Sequence, residues 1–251
     1  MASAANNGKV NVTITDSLVS GQVATFAASV NGYNINATAN DNRIGIVGTG
    51  VNDTIKSGTG ADTITGGAGA DSLTGGGGAD DFVFSGLTAS TNGADVITDF
   101  SVTQGDQLDL NTNGALSALA NGTDGTTITT ASAEALATEG TGIDVADNQI
   151  YVINQVAAES TIDSVADIVT ALADDGVLDA VDIADGDTNV AALVITAVDD
   201  PNTTYVYGYA GNADDDTAVE ASELALIATI TNAASAKEGA TPYLTTNFVL
   251  A

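Results

Sequence analysis

The sequence predicts a mainly β protein, a parallel β-roll or β-helix of short repeated coils followed by a smaller α+β C-terminal module. Three observations carry that prediction. Residues 48–83 divide into four nine-residue units, GTGVNDTIK, SGTGADTIT, GGAGADSLT and GGGGADDFV, each with Asp in sixth place and a large apolar residue in eighth. The stretch before them alternates apolar and polar residues, the period of strands. The stretch after residue 143 mixes strand patterns with one helical pattern.

Residues 1–47 form the lead-in. Val10, Val12 and Ile14 alternate with polar residues, QVATFAASV follows the turn-like Ser20-Gly21, and YNINATA and RIGIV repeat the period of two. A small all-β segment that stacks directly on the repeats is expected.

The repeat block and its cap span 48–110. Glycines permit the sharp turns and positive φ angles of crowded backbone, while the apolar residue two places after each Asp points inward from a short strand. That inward series is Ile55, Ile64, Leu73 and Phe82. Two units make one coil, so Asp53 stacks on Asp71 and Asp62 on Asp80. Charges stacked at the strand spacing of roughly 4.8 Å repel by about 3.5 kcal/mol at an effective dielectric near 20. A hard divalent cation between successive turns removes that repulsion, with turn carbonyls as further ligands. Calcium suits this loose, many-oxygen arrangement better than magnesium.

With its glycines and aspartates in register, the block resembles the nonapeptide repeats of RTX, or hemolysin-type calcium-binding, proteins, whose pattern is G-G-x-G-x-D-x-U-x. The metal candidates are Asp53, Asp62, Asp71 and Asp80, with the turn residues Gly58, Gly60, Gly66, Gly67, Gly69, Gly75, Gly76 and Gly78. The first unit departs from the pattern, carrying Thr49 and Val51 in glycine positions, and full ligation is not expected at that end. A nucleotide-binding reading of the same glycines fails, because no helical pattern follows and phosphate beside four carboxylates is repelled. The segment GADVITDFSVTQGDQLDL is similar to the one that closes the calcium roll in RTX proteins, and adds Asp99 as a metal candidate. Asp81, Asp95, Asp106 and Asp109 rank behind it.

Residues 111–143, rich in Gly, Thr and Ala, read as a connector. Residues 144–251 read as the α+β module. NQIYVINQV, VAALVITAV, TTYVYGYA and LALIATIT have strand character, and STIDSVADIVTALADDG has helical spacing at Ile162, Val165, Val169 and Leu172, with Ser160 and Asp163 as a capping arrangement and Gly176 as a stop. NADDDTAVEASE, residues 212–223, imitates an EF-hand loop but has Thr217 where that loop needs Gly, and reads better as a solvated acidic hairpin loop. Tyr205, Tyr207 and Tyr209 alternate and share one sheet face as packing residues. The terminal Asn247, Phe248, Val249 and Leu250 are similar to the uncleaved C-terminal signals of RTX proteins exported by type I secretion.

Composition narrows the function. The 251 residues hold 33 acidic side chains against four basic ones, Lys9, Arg43, Lys56 and Lys237, with no His and no Cys. Only six of the acids are Glu; the rest are Asp, the shorter acid that suits tight turns. A net charge of −29 lacks the positive footprint that nucleic acid or an anionic membrane surface requires, and favours cations as partners. Ser-His-Asp and Cys-His catalysis are excluded within this chain, as is His-based zinc. The opening MASAANNGKVNV has no basic start and no apolar run, so no Sec signal is expected there, and nowhere do eighteen apolar residues run together.

The leading expectation is a non-enzymatic, secreted calcium-binding structural protein at the cell surface, of the self-assembling surface-layer kind. It would pass the type I secretion machinery unfolded, fold on calcium outside, and associate into a homo-oligomer or lattice. The alternatives are the calcium-folding C-terminal secretion domain of a larger secreted hydrolase, and an adhesin module.

Overall fold

The protein is described from a computed structural model, over residues 3–6, 8–15, 20–26, 29–86, 88–110, 128–132, 143–144, 149–156, 164–172, 181–182, 190–197, 203–210, 221–231 and 248–249. Short segments between turns, carrying β-branched residues in all but the first, give strands β1 (Ser3–Asn6), β2 (Lys9–Thr13), β3 (Gln22–Thr25), β4 (Tyr33–Asn36) and β5 (Ile44–Thr49). The repeats give β6 (Thr54–Lys56), β7 (Thr63–Gly67), β8 (Ser72–Thr74) and β9 (Asp81–Val83). A short helix, α1 (Ala89–Asn92), precedes β10 (Asp95–Ile97) and β11 (Gln107–Asp109).

Successive strands alternate between two sheets. One carries β2-β4-β6-β8-β10 in order and the other β3-β5-β7-β9-β11, all parallel to their neighbours. This is a parallel β-solenoid, the β-roll that the nine-residue units predict. Each repeat strand donates one inward residue, and the register stacks them into two columns. Val12, Ile35, Ile55, Leu73 and Ile97 lie in register on one sheet, and Ala24, Ile46, Ile64, Phe82 and Leu108 on the other. From Ile35 and Ile46 onward every member is buried, and each such side chain contributes about 1.5–3 kcal/mol by leaving water. Phe100 from the cap closes the core against Phe82, their ring centroids 6.1 Å apart.

The roll begins ahead of the repeats. β2 to β5 already follow its register, so no structural boundary falls at residue 47; inward apolar residues suffice for a coil, and the Gly/Asp pattern is an addition to it. Between β9 and β10 the coil is enlarged by α1. Buried Asn92 ties that insertion down, accepting from the Ser85 N–H at 2.8 Å and donating to the Gly86 carbonyl at 2.5 Å.

The later elements are β12 (Ile128–Ser132), β13 (Ile143–Asp144), β14 (Gln149–Val156), α2 (Val165–Leu172), β15 (Val181–Asp182), β16 (Val190–Ala197), β17 (Thr203–Ala210), β18 (Leu224–Thr231) and β19 (Phe248–Val249). β18 pairs in parallel with β10, placing Ile230 beside Ile97, and β17, β16, β14 and β12 extend the same sheet to eleven strands. The C-terminal strands thus continue one face of the roll. Within the expected connector, β-branched Ile128 to Thr130 enter β12 and pair with β14. Ser164 caps α2, its hydroxyl accepting from the Asp167 N–H at 3.3 Å; Ser160, Ile162, Asp163 and Gly176 lie outside the described residues. Tyr207 and Tyr209 are buried and Tyr205 half-buried, with the Tyr205 and Tyr207 rings 6.5 Å apart. Most of the EF-hand-like loop, residues 212–220, also lies outside the described residues.

Candidate calcium ladder

Each repeat Asp stands between a glycine turn and the following strand. The turns nest: the Ala68 N–H donates to the Thr49 carbonyl at 3.0 Å and the Gly77 N–H to the Gly58 carbonyl at 2.9 Å, one coil back. Such close stacking excludes side chains. At Gly76 φ is +95°, and a Cβ there would overlap the Gly58 carbonyl oxygen.

The carboxylates build two ladders along the roll. In the first, Asp95 Oδ1 accepts the Asp71 N–H at 2.9 Å, Asp71 Oδ1 accepts the Asp53 N–H at 2.6 Å, and Asp53 Oδ1 accepts the Tyr33 N–H at 2.5 Å. In the second, Asp106 Oδ1 accepts from Asp80 at 3.0 Å, Asp80 from Asp62 at 2.9 Å and Asp62 from Ile44 at 2.9 Å. Tyr33 and Ile44 occupy the Asp position of earlier coils, and with no carboxylate there each ladder ends. One oxygen of every rung therefore meets a backbone amide of the coil before it. The simple picture of carboxylate facing carboxylate gives way to an alternation of carboxylate and N–H, which tempers the repulsion.

The second oxygens differ. Asp53 Oδ2 accepts from the Thr49 N–H at 2.7 Å and the Thr49 hydroxyl at 2.9 Å, while Asp62 Oδ2 accepts from the Ser57 hydroxyl and from the Gly58 N–H at 3.2 Å. Asp71 Oδ2 and Asp80 Oδ2 are buried with no hydrogen-bond partner. Gly66 and Gly75 leave the space beside them open, since a Cβ on either would overlap that oxygen. Burial pushes Asp71 and Asp80 up to about 7, against the pull of the backbone hydrogen bonds from Asp53 and Asp62. Burial likewise raises Asp95 to about 8 and Asp106 to about 6.

Asp99 stands apart from the rungs. Both its oxygens are engaged by backbone, Oδ1 by the Gly75 N–H at 2.9 Å and Oδ2 by the Gly76 N–H at 2.8 Å, so it clamps the last repeat turn. The sequence reading ranks Asp99 above Asp95 and Asp106, yet the ladder positions belong to the latter two. Their intervals are longer than eighteen residues because the coil there carries insertions. The signal was present all the same: Asp95-Val96-Ile97 and Asp106-Gln107-Leu108 keep the D-x-U core of the unit. Asp81 sits on β9 facing away from the core column, with Oδ1 buried and unpartnered and its carboxyl raised to about 6 by burial and by Asp109, against the pull of Arg43. Asp109 lies on β11 two residues beyond Gln107, the register partner of Asp81. Phe248 and Val249 form β19, in parallel register with Leu108 and Asp109; Asn247 and Leu250 lie outside the described residues.

These residues fit a hard cation. Two buried, unpartnered carboxylate oxygens stand in glycine-cleared turns lined by backbone carbonyls, a donor set of oxygen alone. Among the described residues no three acidic side chains converge on one point, so such an ion would draw most of its ligands from the turn backbone. When bound, the ion supplies positive charge that offsets the buried carboxylates.

A parallel β-roll with an aspartate on each repeat turn defines a class of solenoid with carboxylates stacked along its axis. Within it, residues 47–82 match the family model of the RTX calcium-binding nonapeptide repeat, in four copies. The four nine-residue units of this chain are thus RTX-type repeats, wound as a parallel β-roll. Comparison with curated proteins and with solved structures gave no match. A solenoid of this repeat is typically structural rather than catalytic, and proteins that carry it are generally secreted. Among the described residues no helix is long and apolar enough to cross a membrane.

Proposed function

We propose that this chain is a secreted, non-enzymatic structural protein whose roll folds on binding calcium outside the cell and then self-associates into a surface-layer type of assembly. The observation that carries the reading is the pair of buried, unpartnered oxygens Asp71 Oδ2 and Asp80 Oδ2 beside Gly66 and Gly75. Ionising a carboxyl that is buried with one oxygen unpartnered is unfavourable, so the metal-free roll loses stability at neutral pH. Asp71 and Asp80, with the carbonyls of their turns, would hold the ion. Binding that occurs only in the folded state then drives folding by linkage, in the submillimolar to millimolar range where extracellular calcium modules work.

Scarce free calcium inside the cell keeps such a chain unfolded for type I export, with Asn247 to Leu250 as the terminal signal. Self-association is supported by composition: an acidic, Lys-poor, Cys-free and His-free chain rich in Ala, Thr, Gly and Asp suits a calcium-bridged lattice. The test is a calcium titration of the metal-free protein at several concentrations, followed by far-UV circular dichroism and sedimentation together. Calcium should raise β-structure, and large species should grow with protein concentration. Folding without association would remove the lattice and favour a secretion tail or an adhesin; no response to calcium would remove the whole reading.

A further inference from the structure

The four repeat aspartates occupy equivalent places in the sequence, but their oxygens are not in equivalent surroundings. Asp53 accepts three hydrogen bonds, from Tyr33 N, Thr49 N and the Thr49 hydroxyl. Asp62 also accepts three, from Ile44 N, the Ser57 hydroxyl and Gly58 N. Asp71 and Asp80 each keep a buried oxygen with none. The difference traces to two side chains: Thr49 stands where the second unit has Gly58 and the third Gly67, and Ser57 stands where the third has Gly66 and the fourth Gly75.

We propose that Thr49 and Ser57 act as internal substitutes for a cation, so that Asp53 and Asp62 are held without calcium and the ion is taken up at the Asp71 and Asp80 turns. A carboxylate oxygen has two lone pairs, and on Oδ2 of Asp53 and Asp62 two donors already meet them. A metal ion there must displace both donors and strand a buried N–H, which is unfavourable. At Asp71 and Asp80 nothing is displaced. The same logic runs further toward the N-terminus, where Tyr33 and Ile44 take the rung positions and carry no charge at all. The rungs are therefore graded through the repeats: uncharged residues at Tyr33 and Ile44, then the hydroxyl-capped Asp53 and Asp62, then Asp71 and Asp80, which need the ion; beyond them Asp106 Oδ2 again has a donor, the Ser101 N–H at 2.7 Å. Calcium acts at the Asp71 and Asp80 turns, and the coils ahead of them take up no ion of their own.

This inference rests on the calcium reading above and is separable from it. Calcium is titrated calorimetrically into the full chain and into Asp53→Asn, Asp62→Asn, Asp71→Asn, Asp80→Asn and Ser57→Gly. Asp71→Asn and Asp80→Asn should each lower the stoichiometry or weaken binding about tenfold or more, the scale on which altered contacts around a metal are felt. Asp53→Asn and Asp62→Asn should keep the stoichiometry of the unaltered chain. Ser57→Gly, which leaves Asp62 Oδ2 with the longer Gly58 N–H bond alone, should raise it and make folding more dependent on calcium. Equal losses from all four Asn variants would overturn the inference and leave the calcium reading intact, whereas an unaltered chain that binds no calcium overturns both. Should an Asn variant fail to fold in saturating calcium, the serine variant decides, and an unchanged stoichiometry in it counts against the proposal.

Discussion

Asp71 gives one carboxylate oxygen to the backbone N–H of Asp53 at 2.6 Å and keeps the other buried with no partner. The same carboxyl thus ties two coils together and leaves a demand that the protein does not meet. Asp80 repeats the arrangement on Asp62. The consequence is a fold whose geometry is complete but whose charge is not.

The first prediction concerns pH. Asp71, Asp80, Asp95, Asp81 and Asp106 all have folded-state values between about 6 and about 8, raised chiefly by burial from an ordinary 3.8. A raised carboxyl binds its proton more tightly folded than unfolded, so the stability it contributes is fully present below the ordinary value and is lost as pH rises through the folded value. Metal-free protein should therefore melt at a progressively lower temperature as pH is taken from about 4 to about 8. Saturating calcium should flatten that slope, and calcium should bind more weakly at the acid end because protons compete for the same oxygens. A metal-free melting temperature that rises over this range would contradict the burial of these groups.

Neighbouring glycines should differ sharply. Gly76→Ala puts a Cβ onto the Gly58 carbonyl at φ +95°, where an L-residue alone loses about 1–2 kcal/mol. It should prevent or severely weaken folding even in calcium. Gly77→Ala meets nothing closer than 3.7 Å and should be neutral or stabilising by about 0.4–1 kcal/mol, as a restricted unfolded chain predicts. Thermal melts of both variants at one calcium concentration make the comparison.

The core makes a separate demand that calcium cannot meet. Phe82→Ala removes a fully buried ring from between Ile64 and Leu108 in its column and from Phe100, and should cost about 3–5 kcal/mol in calcium-saturated protein. Denaturant unfolding reads it directly; a cost below about 1 kcal/mol would mean that the column is not packed as described.

Asp99 should behave as a clamp on the backbone. Asp99→Ala leaves the Gly75 and Gly76 N–H groups without their acceptor, and each lost charge-assisted bond is worth about 1.5–3 kcal/mol. Because both oxygens are engaged without any ion, the loss should appear in metal-free protein as well as in calcium. Loss confined to the calcium-bound protein would instead make Asp99 a ligand.

By itself the sequence determined the roll, its two-unit coil and the inward residues Ile55, Ile64, Leu73 and Phe82, because a strict nine-residue period leaves a solenoid few ways to bury one face. It also determined that, among the four repeat aspartates, Asp53 stacks with Asp71 and Asp62 with Asp80. It marked Thr49 as a departure from the pattern, though not what that departure does. Only the tertiary structure decided that Tyr33 and Ile44 end the ladders, that Asp95 and Asp106 extend them, and that β18 joins the sheet of the repeats beside β10. These pairings bring together residues from distant coils, and the enlarged coils around α1 break the period that would have announced them. The same holds for the oxygens of the four rungs. Whether a carboxylate is satisfied depends on which donor the neighbouring turn brings to about 3 Å, a distance that repeat spacing does not encode.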